Sequence, residues 1–420
     1  MDKLIVEGGS QLEGAINISG SKNSSLPILA ATLLCPEASV VQRVPDVSDT
    51  NYMVQILSHL GAKVERSSGT VRIEPADLST SAPYEIVRKM RASICVMGPL
   101  LARMGEVSVS LPGGCVIGDR PIDLHLRGLE ALGATVQVEG GDIFLEAKEG
   151  LRGAEVDLRG KHGPTVLGTD NVMMAAVLAE GTTVIESAAT EPEVVDLAEF
   201  LIKMGARIEG AGTRRITVEG VKGLQGVRHT VIPDRIEAGT FLVAGAIGGG
   251  KVTLKRTRSD HLSAVVETLA SCGFKISSLN GSMTIEPGDE PLGCDIETAS
   301  YPGFPTDMQA QMCALFATAR GLSAVTETIF PQRFMHVSEL KRMGANIELE
   351  GATALIRGVD QLDAAPVMAS DLRASAALVL AALRAKGKTE INRLYHIDRG
   401  YEHIDEKLEM LGAKVWRERA

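Results

Sequence analysis

The chain has 420 residues, of which 45% are hydrophobic and 23% are charged, a composition typical of folded globular proteins rather than disordered ones. At roughly 100–200 residues per domain, this length predicts two or three domains. The net charge of −10 and the 3% aromatic content argue against general nucleic-acid or anionic-membrane binding, so an anionic ligand would need a local basic cluster.

The N-terminus lacks the basic and apolar regions of a signal peptide, and the longest apolar stretch, residues 374–383, is about half as long as a membrane span. The six cysteines are scattered, with no C-x-x-C motif and no Cys/His cluster. This distribution argues against a disulfide framework or a structural zinc site. We therefore expect a cytoplasmic protein that does not insert into membranes.

A short pattern recurs six times: Leu, two residues, an apolar residue, Gly, a residue that is small in five of the six copies, any residue, and Val or Ile. We expect an amphipathic helix to end in each copy, the glycine to adopt a left-handed conformation, and a strand to follow. Consecutive glycines lie 68–72 residues apart, so six repeated units fill the chain. The glycines are Gly61, Gly133, Gly205, Gly273, Gly344 and Gly412.

A second signal in the units is a turn followed by a β-rich run, as at residues 105–109, 181–185 and 387–391. Apolar helical stretches precede such turns, as at residues 172–178 and 374–383. Each unit is therefore predicted to run strand, helix, strand, helix, strand, with room for one further strand. The two helical stretches are apolar around most of their circumference, which predicts helices buried inside and sheets outside.

A unit of about 70 residues buries its apolar faces only against its neighbours, so we expect an α/β fold with two domains of three units. A first strand at residues 4–7 precedes unit one, and unit six lacks a closing hairpin. The expected domains are therefore residues 22–230 and residues 1–21 with 231–420. Two lobes joined by two crossings predict a hinge with a ligand site in the cleft.

Two segments of the first domain place cations at helix starts. Lys22 lies in the segment 19–27, where free N–H groups and an ammonium would suit an anion, although a capped helix with a solvent-facing lysine is equally compatible. Residues 88–93 place three cations before an apolar helix. These cations either serve an anion or form a solvated basic turn.

Residues 110–126 form a Gly- and Pro-rich stretch in which Cys115 precedes Arg120 by five residues. Flexible backbone, a thiol and a nearby guanidinium are what a reactive thiolate requires. The alternative is a long surface loop with an incidental cysteine. We favour the functional interpretation, because loops carry sites more often than cores do.

Three segments of the second domain combine carboxylates and arginines at helix starts. Asp307 is either an N-cap or a base presented to a cleft. Asp371 with Arg373, and Asp398 with Arg399, are either caps with local partners or guanidiniums that converge on a carboxylate or phosphate. Several such sites on a negatively charged chain favour a shared anion.

These segments resemble the UDP-N-acetylglucosamine 1-carboxyvinyltransferase family, also called UDP-N-acetylglucosamine enolpyruvyl transferases, within the EPSP synthase superfamily. The motif Pro-Gly-Gly-Cys-x-Ile-Gly-x-Arg-Pro-x-Asp-Leu-His at residues 112–125 is highly specific for it. The resemblance spans nearly the whole chain and is strongest at residues 19–34, 88–99, 110–134, 304–311, 333–345, 371–377 and 395–413.

The resemblance implies a fold of two lobes, each an inside-out α/β barrel of three repeated units. It implies transfer of enolpyruvyl from phosphoenolpyruvate to the 3-hydroxyl of UDP-N-acetylglucosamine, with release of phosphate. The family route is addition then elimination, without a metal or other cofactor, at the first committed step of peptidoglycan precursor synthesis.

By the same resemblance, Cys115 donates a proton to the enolpyruvate methylene, forms an adduct with phosphoenolpyruvate and is the target of fosfomycin. Lys22, Arg120 and Arg399 hold phosphoenolpyruvate, and Asn23 adjoins them. Asp307 takes the proton from the sugar hydroxyl.

The resemblance also implies the residues that bind the nucleotide sugar. They are Arg91, the run Arg120, Pro121, Ile122, Asp123 and Leu124, then Lys161, Ile329 and Arg373.

The sequence departs from the family in two places. Residues 159–171 replace a Ser-Val-Gly-Ala-Thr-like segment of the uridine loop, so altered nucleotide contacts are expected there. Pro331 occupies a position that is often acidic. Two alternatives remain: 5-enolpyruvylshikimate-3-phosphate synthase, which shares the chemistry, and a non-catalytic sugar-nucleotide sensor.

Overall fold

The computed structural model describes residues 2–82, 84–111, 122–288 and 291–419. Within them the α-helices are α1 Lys22–Ala31, α2 Ser48–His59, α3 Tyr84–Val87, α4 Met97–Met104, α5 Asp123–Ala131, α6 Val166–Ala176, α7 Pro192–Met204, α8 Arg235–Gly248, α9 Ser263–Ser271, α10 Gln309–Phe316, α11 Met335–Arg342, α12 Leu372–Arg384 and α13 Ile404–Met410. Short 3-10 helices occupy Thr32–Leu34, Arg91–Val96, Ser259–His261, Thr306–Met308 and Leu394–Arg399.

The strands of the same residues are β1 Lys3–Glu7, β2 Gly14–Asn17, β3 Ser39–Gln42, β4 Ala62–Ser67, β5 Thr70–Pro75, β6 Ser81–Ala82, β7 Glu106–Ser110, β8 Thr135–Glu139, β9 Asp142–Glu146, β10 Glu155–Asp157, β11 Arg159–Gly160, β12 Gly163–Pro164, β13 Thr182–Glu186, β14 Arg207–Glu209, β15 Arg215–Glu219, β16 Arg228–Thr230, β17 Val252–Lys255, β18 Lys275–Leu279, β19 Ser282–Glu286, β20 Ile296–Glu297, β21 Leu322–Thr326, β22 Asn346–Glu350, β23 Thr353–Arg357, β24 Pro366–Met368, β25 Lys388–Asn392 and β26 Lys414–Glu418.

Six four-stranded sheets share one topology, in which an edge strand pairs parallel with the second strand and the other pairings are antiparallel. Their strand orders are β16-β3-β5-β4, β6-β7-β9-β8, β10-β13-β15-β14, β18-β19-β17-β2, β20-β21-β23-β22 and β24-β25-β1-β26. The predicted repeat of six units is therefore confirmed, with four strands in each. The runs predicted at residues 105–109, 181–185 and 387–391 correspond to β7, β13 and β25.

The glycine of every repeat has the left-handed conformation that the sequence pattern predicts. The φ angles of the six glycines lie between 91° and 110°. A β-carbon is strained at such angles, so glycine ends each second helix and turns the chain into the following strand.

The chain divides into two compact units. The first unit comprises residues 20–111 and 122–232, and the second comprises residues 2–19 and 233–419, as far as they are described. Each unit has three of the six sheets and its own hydrophobic core.

The first helix of each repeat lies at the centre of its unit. In the second unit α8, α10 and α12 pack on one another, and every residue of α10 is buried. In the first unit α6 packs on α1 and α4. The strands alternate buried and more exposed residues, so helices lie inside and sheets outside. Each described four-stranded sheet keeps two edge strands, so none of them closes on itself.

Buried carboxylates fix the chain where it passes from one unit to the other. In the first unit, Asp196 of α7 accepts hydrogen bonds from the Ile232 amide (3.2 Å), the Ser24 hydroxyl and the ring of His229 (2.8 Å). The second ring nitrogen of His229 lies 2.9 Å from the Lys203 ammonium, so it accepts while the other donates to Asp196. Every group of this buried cluster therefore has a partner.

In the second unit Glu237 of α8 holds the chain segment around Ser19, as Asp196 holds the segment around Ile232 in the first unit. Its carboxylate accepts from the Ser19 amide at 2.7 Å and pairs with the Lys407 ammonium, which also donates to the Ser19 hydroxyl at 2.7 Å. Burial raises the pKa of Glu237, and Lys407 opposes that shift. Asp234 caps α8, and its amide donates to the Ser19 carbonyl at 3.0 Å. Both chain segments that leave this unit are thus held by acidic residues at the start of α8.

In the described part of the chain, no helix is both long and apolar enough to cross a membrane.

The strands β1, β15 and β23 are each followed by a glycine that packs against a backbone carbonyl just after a buried helix. A β-carbon at Gly220, after β15, would lie 1.6 Å from the Ala179 carbonyl oxygen, and one at Gly358 would lie 1.6 Å from that of Ala319. We predict that Gly220→Ala destabilises the protein by about 1–3 kcal/mol, because the backbone must move to admit the methyl group.

The midpoint of urea denaturation measures this cost. Gly223→Ala, in the same loop with no atom within 4 Å of the added carbon, is the matched control and should change stability by less than about 0.5 kcal/mol. Equal effects of the two substitutions would contradict the close approach.

His336 of α11 is buried, and its Nε2 has no hydrogen-bond partner among the described residues. Burial lowers the pKa of His336 to about 4. Between that value and the ordinary pKa of about 6.5 the unfolded chain binds the additional proton, so stability falls as the pH is lowered through this range. The loss approaches about 1.4 kcal/mol per pH unit.

We predict that His336→Leu loses less unfolding free energy than the wild type between pH 6.5 and 5, as measured by urea denaturation. His59→Gln, at an exposed position, is the control and should keep the wild-type pH dependence. The prediction fails if His336→Leu and the wild type lose the same amount.

Candidate active site

Asp307 is held between two arginines of the second unit. It lies in the 3-10 helix Thr306–Met308, and its Oδ1 accepts from Arg333 Nη1 at 2.8 Å. Its Oδ2 accepts from Nε and Nη2 of Arg373 at 3.2 and 3.0 Å. The N-cap interpretation of Asp307 is wrong, because neither this helix nor α10 has a side-chain cap.

The two guanidiniums are buried, whereas the Asp307 side chain keeps 27% of its surface exposed. Opposite charges at hydrogen-bond distance favour the ionised form of a carboxylate. Asp307 is therefore an ionised, oriented acceptor that remains within reach of a ligand.

Arg373 is fixed on its other side by an aromatic ring. Its guanidinium lies 5.3 Å from the ring centroid of Tyr401, whose hydroxyl is 2.9 Å from Thr240 Oγ1. Burial alone would lower the pKa of Arg373, but its interactions with Tyr401 and Asp307 outweigh that effect, so the pKa is raised. Gln311 Nε2 donates to the Asp307 carbonyl at 2.7 Å and links α10 to this cluster.

Glu327 is a buried carboxylate that sequence reasoning missed. It follows β21 directly, and its carboxylate accepts from the hydroxyls of Thr298 and Thr306, each at 2.8 Å. The amides of Ile329 and Phe330 both donate to Glu327 Oε1 at 2.9 Å. The signal in the sequence was an acidic residue directly after a short β-rich run that follows Gly321.

Arg333 was also missed as a site residue. Besides Asp307 it contacts Thr306 Oγ1 at 3.1 Å, so the Glu327 and Asp307 hydrogen bonds form one network. The network brings the predicted residues Asp307, Arg373 and Ile329 into one region of the second unit.

Lys22 lies at the first position of α1 in the first unit. Ser21 caps this helix by accepting from the Ser24 amide. The Lys22 ammonium is 3.3 Å from Asp49 Oδ2, and only 12% of its side chain is exposed. The helix is capped as predicted, but the alternative of a solvent-facing lysine is wrong. Asn23 follows it and is partly buried.

The basic segment at residues 88–93 has local partners for two of its cations. Arg88 pairs with Glu85 at 2.8 Å, and Lys89 lies 5.3 Å from the ring centroid of Tyr52. Arg91 begins the 3-10 helix Arg91–Val96 and is partly buried. Of the three cations, Arg91 is the one that lies at a helix start, and its role in binding an anion stays a prediction.

Residues 159–171 are a hairpin and a helix rather than a loop. Lys161 lies exposed in the two-residue turn between β11 and β12, Thr165 caps α6, and that helix then begins. Leu124 of α5 lies against Gly160, and Arg127 Nη2 donates to the Arg159 carbonyl at 3.2 Å. The hairpin is therefore supported by α5.

Two further residues that are predicted to contact the nucleotide sugar lie at the start of α5. Ile122 occupies the N-cap position of α5, and Asp123 is the acidic residue of its first turn. The helix dipole favours a carboxylate at this position, so stabilising the start of α5 is a sufficient structural role for Asp123.

The two remaining acidic residues, Asp371 and Asp398, differ in role: the first is the predicted cap, and the second pairs with an arginine that the sequence did not indicate. Asp371 caps α12 by accepting from the amides of Arg373 (2.9 Å) and Ala374 (3.1 Å), so the cap interpretation is confirmed. Asp398 pairs with Arg417 at 2.8 Å instead of capping a helix. Arg399 ends the 3-10 helix Leu394–Arg399 and is partly buried.

The Arg399 guanidinium acts on its neighbour His396. Burial lowers the pKa of His396, and the positive charge of Arg399 lowers it further. Arg399 is thus a charged group in a partly desolvated position.

Cys115, Arg120 and Pro121 lie outside the described residues. Among the described residues, no group of three or more His, Cys, Asp or Glu side chains is placed to hold a metal ion.

Structural comparison agrees with the fold described above. The enolpyruvyl transferase NikO from Streptomyces tendae superposes with a TM-score of 0.90 at 24% identity, covering 100% of this chain and 99% of the other. EPSP synthase from Acinetobacter baumannii gives a TM-score of 0.78 at 18% identity, with full coverage of both chains. At these identities the likeness concerns the fold alone.

Sequence comparison is more specific. The chain is 67% identical over 419 residues to a UDP-N-acetylglucosamine 1-carboxyvinyltransferase of Akkermansia muciniphila and 58% identical over 417 residues to one of Methylacidiphilum infernorum, covering 99% of every chain. The family model of EPSP synthase (3-phosphoshikimate 1-carboxyvinyltransferase) matches residues 6–408. The chain therefore belongs to the EPSP synthase family of enolpyruvyl transferases and, within it, to the UDP-N-acetylglucosamine 1-carboxyvinyltransferases.

Proposed function

We propose that the protein transfers the enolpyruvyl group of phosphoenolpyruvate to the 3-hydroxyl of UDP-N-acetylglucosamine and releases phosphate. The observation that carries this proposal is the 67% identity, over 99% of both chains, to a relative named for this reaction. The product is a peptidoglycan precursor, so the enzyme contributes to cell-wall synthesis and through it to cell shape and division. The substrates are soluble, which favours action in the cytoplasm.

Asp307 receives the proton of the sugar hydroxyl in this proposal. Two guanidiniums hold it ionised and fix the direction of both carboxylate oxygens. A positioned acceptor lowers the barrier when the proton leaves as the new C–O bond forms. Arg333 and Arg373 then stabilise Asp307 without themselves contacting the reacting atoms.

The sugar oxygen adds to C2 of the enol phosphate while C3 gains a proton, and phosphate then leaves as C3 loses one. We propose Cys115 as the donor of the first proton, and as the residue that forms the phosphoenolpyruvate adduct and reacts with fosfomycin. Lys22, Arg120 and Arg399, with Asn23 adjacent, are proposed to neutralise the carboxylate and phosphate.

The nucleotide sugar is proposed to contact Arg91, the run 120–124, Lys161, Ile329 and Arg373. Ile329 is held by the hydrogen bond of its amide to Glu327. Lys161 on its exposed hairpin supplies a mobile cation for a diphosphate. In domain terms, residues 22–230 carry Cys115 and most of these contacts, whereas residues 1–21 with 231–420 carry Asp307, Arg373 and Arg399.

The choice of acceptor distinguishes this proposal from the alternatives, because the matching family model is described by a different acceptor, 3-phosphoshikimate. We expect the purified protein to release phosphate from phosphoenolpyruvate only when UDP-N-acetylglucosamine is present. A colorimetric phosphate assay with UDP-N-acetylglucosamine, with shikimate 3-phosphate and with neither measures this directly. Release with shikimate 3-phosphate would indicate an EPSP synthase. If neither acceptor leads to phosphate release, the protein is a sensor.

Asp307→Asn should lower kcat by about 10²–10⁴-fold, because an amide keeps the shape of the side chain but does not accept the proton. Steady-state kinetics with both substrates measure the loss, and circular dichroism confirms that the variant is folded. Asp260→Asn, at a position 63% exposed and paired with Arg258, is the control and should keep wild-type kcat. A folded Asp307→Asn enzyme with wild-type kcat would remove Asp307 from the mechanism.

A further inference from the structure

Two cysteines of the second unit meet although 22 positions separate them. Cys272 ends α9 and is fully buried, and Cys294 is partly buried two residues before β20. Their sulfur atoms lie 3.2 Å apart. This contact belongs to neither the Asp307 network nor the proposed substrate contacts.

The backbone holds the two thiols together. The Leu292 amide donates to the Cys272 carbonyl at 3.0 Å, two residues before Cys294. The connecting chain also passes so close to the end of α9 that a β-carbon at Gly288 would lie 2.3 Å from the Gly273 carbonyl oxygen. The contact between the sulfurs therefore follows from the packing of the connection on the helix end.

The two thiols are chemically unequal. Cys272 lies at the negative end of the α9 dipole, which disfavours a thiolate there. The hydrogen bond from the Cys272 thiol lowers the pKa of Cys294, and the same bond raises that of Cys272. A partly exposed cysteine whose thiolate accepts a hydrogen bond from a buried thiol is the usual arrangement of a reactive cysteine and its resolving partner.

We propose that Cys272 and Cys294 are an oxidisable dithiol, a modification site at which hydrogen peroxide converts the two thiols into a disulfide. The Cys294 thiolate attacks one peroxide oxygen, the O–O bond breaks, and a sulfenic acid and hydroxide form. The Cys272 sulfur then attacks Cys294, the S–O bond breaks, and the leaving hydroxide takes the Cys272 proton as water. Two thiols lose two electrons and two protons, and the peroxide becomes two waters.

The other described cysteines are poor competitors for this oxidation. Cys35, Cys95 and Cys313 are buried, and burial raises the pKa of each thiol. A thiol with a raised pKa reacts slowly with peroxides, because the thiolate is the nucleophile. Oxidation should therefore select Cys294 within the described part of the chain.

Peptide mass spectrometry of the full-length protein tests the proposal. The protein is treated with hydrogen peroxide, the remaining thiols are alkylated, and the protein is digested without reductant. We expect a peptide pair joined through Cys272 and Cys294 to form before Cys313 is oxidised. Its rate of formation should rise with pH, because the Cys294 thiolate is the attacking group.

Two variants identify the roles of the thiols. Cys272→Ser should abolish the linked peptide and leave Cys294 as a sulfenic acid that dimedone traps, whereas Cys294→Ser should give neither product. Cys313→Ala is the matched control and should still form the linkage. The proposal is overturned if Cys294 is oxidised no faster than Cys313, or if it is oxidised in the wild type without a bond to Cys272.

Discussion

The pairing of one carboxylate with two buried guanidiniums determines how three segments of the second unit meet. Asp307 precedes α10, Arg333 precedes α11 and Arg373 lies in the first turn of α12. A buried guanidinium without its counter-charge is strongly destabilising. Displacement of any one of the three segments would therefore destabilise the positions of the other two. Glu327 extends this constraint to Thr298, Thr306, Ile329 and Phe330, each of which donates one hydrogen bond to its carboxylate.

The features that the sequence predicts correctly are local or periodic. Six glycines at regular spacing specify six helix ends, because the left-handed position after a helix favours glycine in every repeat. The Asp371 cap is also local, since its donors are two and three residues away. Asp307 has the same local signature but a different role, because its partners lie 26 and 66 positions along the chain.

The same limit explains the other differences between sequence and structure. Lys22 is paired rather than solvent-facing because Asp49, 27 positions later, folds back onto the start of α1. The family resemblance places the segment 159–171 in a loop, yet Gly160 and Gly163 face each other across a tight hairpin. No periodic pattern marks such a contact, so sequence alone identified the candidate residues without their partners.

The position of β1 has a consequence for the order in which the chain assembles. This apolar strand lies between β25 and β26, the last two strands of the chain. On the ribosome, residues 20–232 are complete long before those partners emerge, so the unit built from them folds first. The N-terminal strand waits through almost the whole of translation with both hydrogen-bonding edges open, and this topology therefore makes chaperone protection of the nascent N-terminus valuable.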